Sequence, residues 1–156
     1  MELWFTENYG NNAIQIKVKK HLHQRQSRFQ QIDVFETFEF GKMLVLDGYV
    51  MTTEYDEPAY HELLTHVPAQ SCKNLKNVLI IGGGDGGTAR EMLKYQEIEA
   101  VHMVEIDEDV VHVSKEYFEI FQEAFQDSRL KLFFEDGAAF VKNKPKAKFY
   151  KKFRYF

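Results

Sequence analysis

The sequence predicts an α/β protein, in which a small N-terminal antiparallel β-hairpin domain is followed by a partial, doubly wound parallel sheet. Three observations predict this class. Apolar and polar residues alternate through the first part of the chain, as in half-buried strands. Residues 78–81 are then an uninterrupted apolar run, typical of a strand buried on both faces. From there strand-like and helical segments alternate, as in parallel sheets with crossover helices.

The N-terminal domain is expected to span residues 1–66 and to consist of hairpins. Four stretches carry the strand pattern: residues 14–18, 29–40, 43–46 and 49–53. Between the last two stands Asp47-Gly48, a dipeptide that strongly favours a tight hairpin turn. We therefore expect a small antiparallel sheet.

The second domain is expected to span residues 67–141. Between the two domains, residues 56–68 have helical spacing, and Pro68 is expected to end that helix. The predicted strands are residues 78–81, 101–106 and 130–134, and the predicted helices are residues 88–95, 108–121 and a third opening at Asp136-Gly137.

Composition excludes several classes of function. The 156 residues are 44% apolar and 28% charged, as in ordinary globular proteins. A net charge of -4 gives no reason to expect a nucleic-acid partner. No secretory signal and no apolar stretch of about 20 residues is present, so we expect no membrane partner. The single Cys72 cannot form an internal disulfide, which fits a cytoplasmic location.

A glycine-rich loop, residues 82–87 (Gly-Gly-Gly-Asp-Gly-Gly), joins the first buried strand to a helix. Glycines at its first, third and sixth places match nucleotide-binding loops, in which the backbone approaches the ligand closely. Five glycines in six residues exceed the needs of a plain turn. The loop therefore predicts a Rossmann-like (methyltransferase-type) sheet with Gly82 and Gly84 beside a nucleoside.

Asp85 indicates which kind of ligand the loop binds. A dinucleotide places its pyrophosphate at a helix N-terminus, where free N–H groups attract anions. A carboxylate in that loop repels an anion and favours an ammonium or sulfonium group. The sequence therefore favours an S-adenosylmethionine-type nucleoside over NAD, although Asp85 could also serve only as a helix cap.

Acidic residues end the second and third predicted strands. An acid about twenty residues after the glycine loop is well placed to accept ribose hydroxyls. Glu105 is the better candidate, because Asp107 precedes a helix and could simply cap it. Asp136 lies where such folds hold an adenine ring, but capping a helix before Gly137 is an equal alternative.

Together these residues resemble the spermidine synthase family of polyamine aminopropyltransferases. The resemblance covers nearly all of the chain to about residue 141. Its motifs are LWFTE (3–7), SRFQ (27–30), LVLDG (44–48), TEYDE (53–57), YHE (60–62), LIIGGGDGG (79–87), EID (105–107) and DG (136–137).

The resemblance implies transfer of an aminopropyl group from decarboxylated S-adenosylmethionine to putrescine, giving spermidine and methylthioadenosine. The nucleoside is then a co-substrate, and no cofactor or metal is implied. Nucleoside-binding roles fall on Gln30, Glu105, Asp136 and Gly137, with Gly82 and Gly84 in the loop. Roles facing the amine and the aminopropyl chain fall on Tyr60, His61 and Asp85. Homodimers or homotetramers are implied as the assembly.

Residues 142–156 form a basic aromatic tail that departs from the family pattern. The resemblance implies a fourth strand ending in an Asp-Ser/Thr-x-Asp/Glu-Pro segment with the catalytic base, and no such segment is present. The catalytic residue is therefore unassigned, and we expect a marginal fold and little or no aminopropyl transfer. One coding of Phe153-Arg154-Tyr155, read one base later, gives Phe-Asp-Ile, so we hypothesise that the tail is out-of-frame, non-family sequence.

Two other functions share some of these features. A small-molecule methyltransferase would have the same glycine loop and ribose acid, but Asp85, Gln30 and residues 60–62 argue against it. A non-catalytic fragment would bind the nucleoside or assemble with full-length partners.

Overall fold

The computed structural model describes residues 2–143 and the backbone of residues 152–154. The chain divides into two compact units after Pro58, whereas the sequence predicted a boundary after residue 66. No helix among the described residues is long and apolar enough to cross a membrane.

The first unit is a five-stranded antiparallel sheet in the order β1-β2-β3-β4-β5. Its strands are β1 (Leu3–Tyr9), β2 (Asn12–Gln26), β3 (Gln31–Thr37), β4 (Lys42–Leu46) and β5 (Tyr49–Thr53). The predicted hairpin domain is therefore confirmed. Strand β1 was not predicted, because most of its side chains are exposed and its sequence does not alternate; pairing with β2 stabilises it.

The hairpin between β4 and β5 forms because both of its turn residues adopt a left-handed conformation. Asp47 has φ 50° and Gly48 has φ 82°. Aspartate and glycine tolerate this region better than other residues, and such turns match the twist of the flanking strands. Leu46 and Tyr49 pair directly across the turn, as the sequence predicted.

The second unit contains a four-stranded parallel sheet in the order β8-β7-β6-β9. The strands are β6 (Asn77–Ile81), β7 (Ala100–Glu105), β8 (Leu130–Phe134) and β9 (Lys152–Arg154). The helices are α1 (Glu57–Gln70), α2 (Gly87–Leu93), α3 (Glu108–Tyr117), α4 (Glu119–Gln126) and α5 (Gly137–Asn143). The predicted fold class, a hairpin domain followed by a partial Rossmann-like sheet, is confirmed.

Strand β9 lies beside β6, on the side away from β7, and supplies a fourth strand where the sequence predicted none. Its three residues show no strand pattern, so pairing with the exposed edge of β6 decides their conformation. The hypothesis of an out-of-frame tail concerns residues that lie largely outside the part of the chain described.

Two helix predictions were wrong in detail. The single helix predicted for residues 108–121 is two helices, because buried Phe118 is extended, with φ -113° and ψ 91°, and packs 6.0 Å from Phe121 between ring centroids. Helix α1 continues past Pro68 to Gln70. Proline removes one backbone hydrogen bond but its φ suits a helix, so the last turn persists.

Parallel strands bring three of the predicted site elements to one edge of this sheet. The glycine loop follows β6, Glu105 is the last residue of β7, and Asp136 follows β8. Because the carboxyl ends of parallel strands point the same way, all three lie at the edge where open α/β sheets bind ligands.

Candidate functional site

The loop between β6 and α2 has a backbone that only glycine adopts easily. Gly82, Gly83 and Gly86 have φ values of 79°, 77° and 90°. Side chains at such φ values strain the backbone, so the glycines let the buried strand turn sharply into the helix.

Two backbone amides of this loop already donate hydrogen bonds to carboxylates. The Gly84 N–H donates to Glu105 Oε2 at 3.1 Å, and the Gly87 N–H donates to Asp85 Oδ1 at 2.6 Å. Two more amides bond backbone carbonyls, Gly82 to Val104 at 2.8 Å and Gly86 to Gly83 at 2.9 Å. A phosphate binds such loops through these N–H groups. The arrangement therefore disfavours a phosphate and suits a ligand without one.

Glu105 is the carboxylate best placed to bind a ribose. Besides the Gly84 bond, its Oε1 accepts from the amides of Ile106 at 2.8 Å and Asp107 at 3.1 Å. Burial raises the pKa of the Glu105 carboxyl above its usual value, although the three amide hydrogen bonds oppose this. A carboxylate has about four acceptor positions, so one position at Oε2 is left for a ligand hydroxyl.

Asp107 instead caps α3. Its side chain accepts from the amide of Asp109 at 3.2 Å and is almost fully buried. This is the capping role that the sequence offered for it, and it leaves Glu105 as the acid beside the loop.

A cavity of about 600 Å³ opens at the carboxyl ends of these strands. Its apolar lining comes from Ile81, Val104, Ile106, Ala138 and Val141. Glu105, Asp136 and Lys142 supply its charged groups, and Gly82 and Gly137 leave backbone exposed to it. An apolar slot with a few polar groups at this size is typical of a small-molecule site.

Asp136 and Gly137 lie at the start of α5. Asp136 Oδ1 accepts from the amide of Ala139 at 2.7 Å, so the capping alternative holds. Asp136 also lines the cavity, so the cap and a ligand contact are compatible. A Cβ on Gly137 would lie 2.5 Å from Ile81 Cγ2, so only glycine allows this close approach to β6.

His61 and Asp85 form a second cluster within the same unit. The fully buried His61 places Nε2 3.3 Å from Asp85 Oδ1. Its ring packs on Gly87, where a Cβ would lie 2.2 Å from His61 Cε1. The resemblance implied that His61 faces the amine, whereas the structure buries it beneath the loop. Asp85 connects it to the loop.

Tyr60 lies beside this cluster and is half exposed. Its ring meets that of His61 edge-on, with centroids 5.1 Å apart and planes at 70°. Partial burial and the charge of Asp85 raise the pKa of the Tyr60 hydroxyl, so it stays a hydrogen-bond donor near neutral pH.

Gln30 belongs to the first unit, and the other predicted site residues belong to the second. It ends the turn between β2 and β3, where its amide donates to Ser27 Oγ at 3.0 Å and its carbonyl accepts from the Ser27 amide at 2.9 Å. The turn thus determines its backbone conformation.

Some site residues were not predicted. The apolar lining of the cavity comes from strand ends and from α5. In the sequence, only a position at the end of a predicted strand indicated that such a residue could lie at the site. The sequence indicated no separate role for Gly87. This position requires glycine because the His61 ring packs where a Cβ would lie, and that contact is visible only in the structure. Within the described ranges, no group of three or more histidines, cysteines or acids could hold a metal ion.

Models of known protein families match both units of the chain. Residues 57–153 match the model of the spermine/spermidine synthase domain, and residues 3–54 match that of the spermidine synthase tetramerisation domain. A polyamine aminopropyltransferase of Alkaliphilus metalliredigens is 52% identical over 92% of this chain and 51% of its own length. One from Clostridioides difficile is 54% identical over 91% of this chain and 50% of its own length.

Solved structures are also similar. The crystal structure of spermidine synthase from Thermotoga maritima matches with a TM-score of 0.88 at 41% identity, over 90% of this chain and 50% of that one. A spermidine synthase in complex with the transition state analogue AdoDATO matches with a TM-score of 0.87, also at 41% identity. The chain spans about half the length of the curated relatives it matches. With both of its units matched, the chain belongs to the spermine/spermidine synthase family.

Proposed function

We propose that this chain forms the nucleoside-binding part of a polyamine aminopropyltransferase. Its substrates are decarboxylated S-adenosylmethionine and putrescine, and its products are spermidine and methylthioadenosine. The observation that carries this proposal is the pairing of loop amides with carboxylates beside an apolar cavity. Such a site favours a cationic nucleoside that has no phosphate.

Most of the proposed nucleoside contacts come from residues that line the cavity. Glu105 accepts a ribose hydroxyl at its remaining Oε2 position, and the apolar lining holds the adenine ring. Asp136 and Gly137 contact the adenine, with Gly82 and Gly84 against the ribose. Gln30 is proposed as a further nucleoside ligand from the first unit.

The amine-binding roles fall on Tyr60, His61 and Asp85. Asp85 attracts the cationic amine and sulfonium, and the buried His61 lies beside it, with Nε2 3.3 Å from Asp85 Oδ1. In the reaction the amine nitrogen forms a bond to the carbon next to sulfur, the C–S bond breaks, and sulfur keeps the electron pair as a neutral thioether. The amine loses a proton, and its base is not assigned among the described residues. Orientation of the two substrates supplies much of the catalysis.

The nucleoside is consumed as a co-substrate, so the proposal includes no cofactor and no metal. The match of residues 3–54 to a tetramerisation domain supports oligomer formation. We propose a homodimer or homotetramer in the cytoplasm, with no nucleic-acid or membrane partner.

The test compares methylthioadenosine with S-adenosylhomocysteine as stabilising ligands in thermal unfolding. Binding at a hundredfold excess over Kd stabilises a fold by about 2.7 kcal/mol. We expect methylthioadenosine to raise Tm more, because the carboxylate of S-adenosylhomocysteine meets the charge of Asp85. Glu105→Gln should reduce the shift, and Glu108→Gln, at the exposed start of α3, should not.

Stronger protection by S-adenosylhomocysteine would instead identify a methyltransferase-type site. A second assay incubates the purified chain with decarboxylated S-adenosylmethionine and putrescine. Spermidine formation would establish the donor and acceptor and show that the expected inactivity of the chain was wrong.

A further inference from the structure

Helix α1 packs within the second unit mainly through polar residues. The buried positions of this helix, four residues apart, are Glu57, His61, Thr65 and Ala69. Leu63 and Val67 are 67% and 63% exposed, although their helical spacing is that of a buried face. Apolar burial therefore does little to determine how α1 lies on its neighbours, and specific polar contacts must do so.

One of these contacts involves His66, which the nucleoside and amine sites do not use. Its Nε2 lies 3.0 Å from Glu91 Oε2 on α2, and its Nδ1 lies 2.8 Å from the hydroxyl of Tyr95, just beyond α2. The hydroxyl pKa of Tyr95 is raised by burial and by the charges of Glu97 and Glu91, which keeps the group protonated. His66 is thus held at both ring nitrogens.

Glu91 is a fully buried carboxylate that is charged without help from His66. Arg90 Nε lies 2.9 Å from Oε1, and Lys94 Nζ lies 2.5 Å from Oε2. Burial raises the pKa of the Glu91 carboxyl, but hydrogen bonds from Lys94 and Arg90 outweigh it and hold that pKa below its usual value. The charge is balanced by α2 itself. The bond to His66 therefore connects two helices and is not needed for charge balance.

Together the two histidines connect α1 to α2 at two levels. His61 meets Gly87 and Asp85 at the start of α2, and His66 meets Glu91 one turn later. The five residue steps from His61 to His66 rise about 7.5 Å along α1, and the four steps from Gly87 to Glu91 rise about 6 Å along α2. The spacings are similar, so both contacts form at once. Two contacts fix the axial position and the rotation of α1, whereas one contact leaves the helix free to pivot.

We propose that His66 and Glu91 are positioning residues for the pair formed by Asp85 and His61. By fixing α1 on α2, their hydrogen bond holds the His61 ring against Gly87 and so holds the Asp85 carboxylate in the loop. Only the consequence for amine binding rests on the proposed function. The geometric statement concerns the position of His61 and Asp85 alone.

The test uses the isotope-labelled full chain and NMR. The Gly87 amide donates to Asp85 at 2.6 Å, so its proton shift reports that bond, and the ring signals of His61 report its packing. The variants are His66→Leu, which removes both ring contacts, and His66→Gln, whose amide can still donate to Glu91. His112→Leu on α3 is the matched control, because His112 is an exposed histidine.

We expect His66→Leu to move the Gly87 amide and the His61 ring signals by more than the control does, and His66→Gln to restore them. Putrescine affinity should fall roughly tenfold in His66→Leu and recover in His66→Gln, as expected for a displaced substrate-orienting group. Methylthioadenosine affinity should not change, because neither His66 nor Glu91 lines the nucleoside cavity.

The inference is overturned if His66→Leu shifts only signals near Glu91 and Tyr95 while Gly87 and His61 stay within the change seen for His112→Leu. If His66→Leu does not fold, Tyr95→Phe decides, since it removes one contact and should shift Gly87 in the same direction by less. A native chain that binds neither methylthioadenosine nor putrescine contradicts the proposed function, and the Gly87 shift still decides the positioning inference.

Discussion

The two units use their carboxylates in different ways. In the first unit each of several acids bonds another strand or a turn. Three of them accept from backbone amides: Glu7 from Val50 at 3.0 Å, Asp47 from Gln31 at 2.8 Å, and Glu54 from Lys42 at 2.8 Å. A fourth acid, Asp33, lies 2.7 Å from His21 Nε2. These bonds stabilise the sheet.

In the second unit the acids Asp85, Glu105 and Asp136 gather at one edge. Parallel strands bring all their carboxyl ends together, whereas antiparallel strands alternate and distribute theirs over both edges. Strand direction therefore decides whether carboxylates at strand ends gather at one edge of a sheet or are spread over both. Four predictions test it.

The largest effect is expected from glycine replacement in the second unit. Gly87→Ala places a Cβ 2.2 Å from the His61 ring, so either the ring or the loop must move. Overpacking of this kind should cost about 3 kcal/mol in the free energy of unfolding. Gly10→Ala in the first unit meets no atom within 4 Å and strains only a left-handed φ of 63°, at about 1 kcal/mol. Chemical denaturation measures both, and equal losses would contradict the close packing of His61 on Gly87.

The next effect concerns the buried charge on α2. Glu91→Gln should cost about 2 kcal/mol at neutral pH, because it weakens hydrogen bonds from charged groups. A lowered folded-state pKa means that Glu91 stabilises the fold above the ordinary value of 4.5, and that this stability is lost as pH falls through the lower folded value. Denaturation curves should therefore converge for the two proteins at acid pH. A constant difference across pH would argue against an ionised Glu91.

A smaller effect is expected at Glu105, the acid that we propose binds the ribose. Glu105→Gln should weaken methylthioadenosine binding roughly tenfold, because an ionised acceptor binds a hydroxyl more strongly than an amide does. Binding by the native chain should fall as pH drops through the raised pKa of Glu105, because the protonated carboxyl accepts poorly.

The contribution of Glu105 to the free energy of unfolding should change with pH in the direction opposite to its contribution to ligand binding. A raised folded-state pKa means that its contribution to folding is present at low pH and is lost as pH rises through that pKa. Calorimetric titration with methylthioadenosine at several pH values measures how the binding affinity depends on pH. The Glu105→Gln variant should lose most of this pH dependence. The same pH dependence in both proteins would assign it to another group.

The smallest effect is expected in the first unit. Glu7→Gln keeps an acceptor for the Val50 amide, so it should cost about 0.5 kcal/mol. Methylthioadenosine affinity should not change. The hydrogen bond to Glu7 is the main cause that raises the pKa of Tyr9. In the variant this pKa should move back toward its usual value, and ultraviolet titration of the tyrosine measures the change. A loss of nucleoside affinity equal to that of Glu105→Gln would contradict the separation of roles.

Much of the site could be predicted because it depends on local signals. The glycine loop, Asp85 within it and Glu105 at a strand end are all set by short spacings in the chain. The preference for Glu105 over Asp107 follows from a capping rule that involves neighbouring residues only, and the structure shows that cap. Long-range contacts decide the rest. The positions of His61 under Gly87 and of His66 on Glu91 join residues more than twenty places apart.

By itself the sequence predicted most of the hairpins, strands and helices in order, the glycine loop with a carboxylate within it, and the family. These follow from periodicity and from glycine and carboxylate spacing, which act within a few residues. Only the tertiary structure decided that β1 and β9 form as strands, that Phe118 divides a helix, and that α1 buries histidine while exposing leucine and valine. Each depends on a partner brought from elsewhere in the chain, because strand pairing and close packing can override local preference.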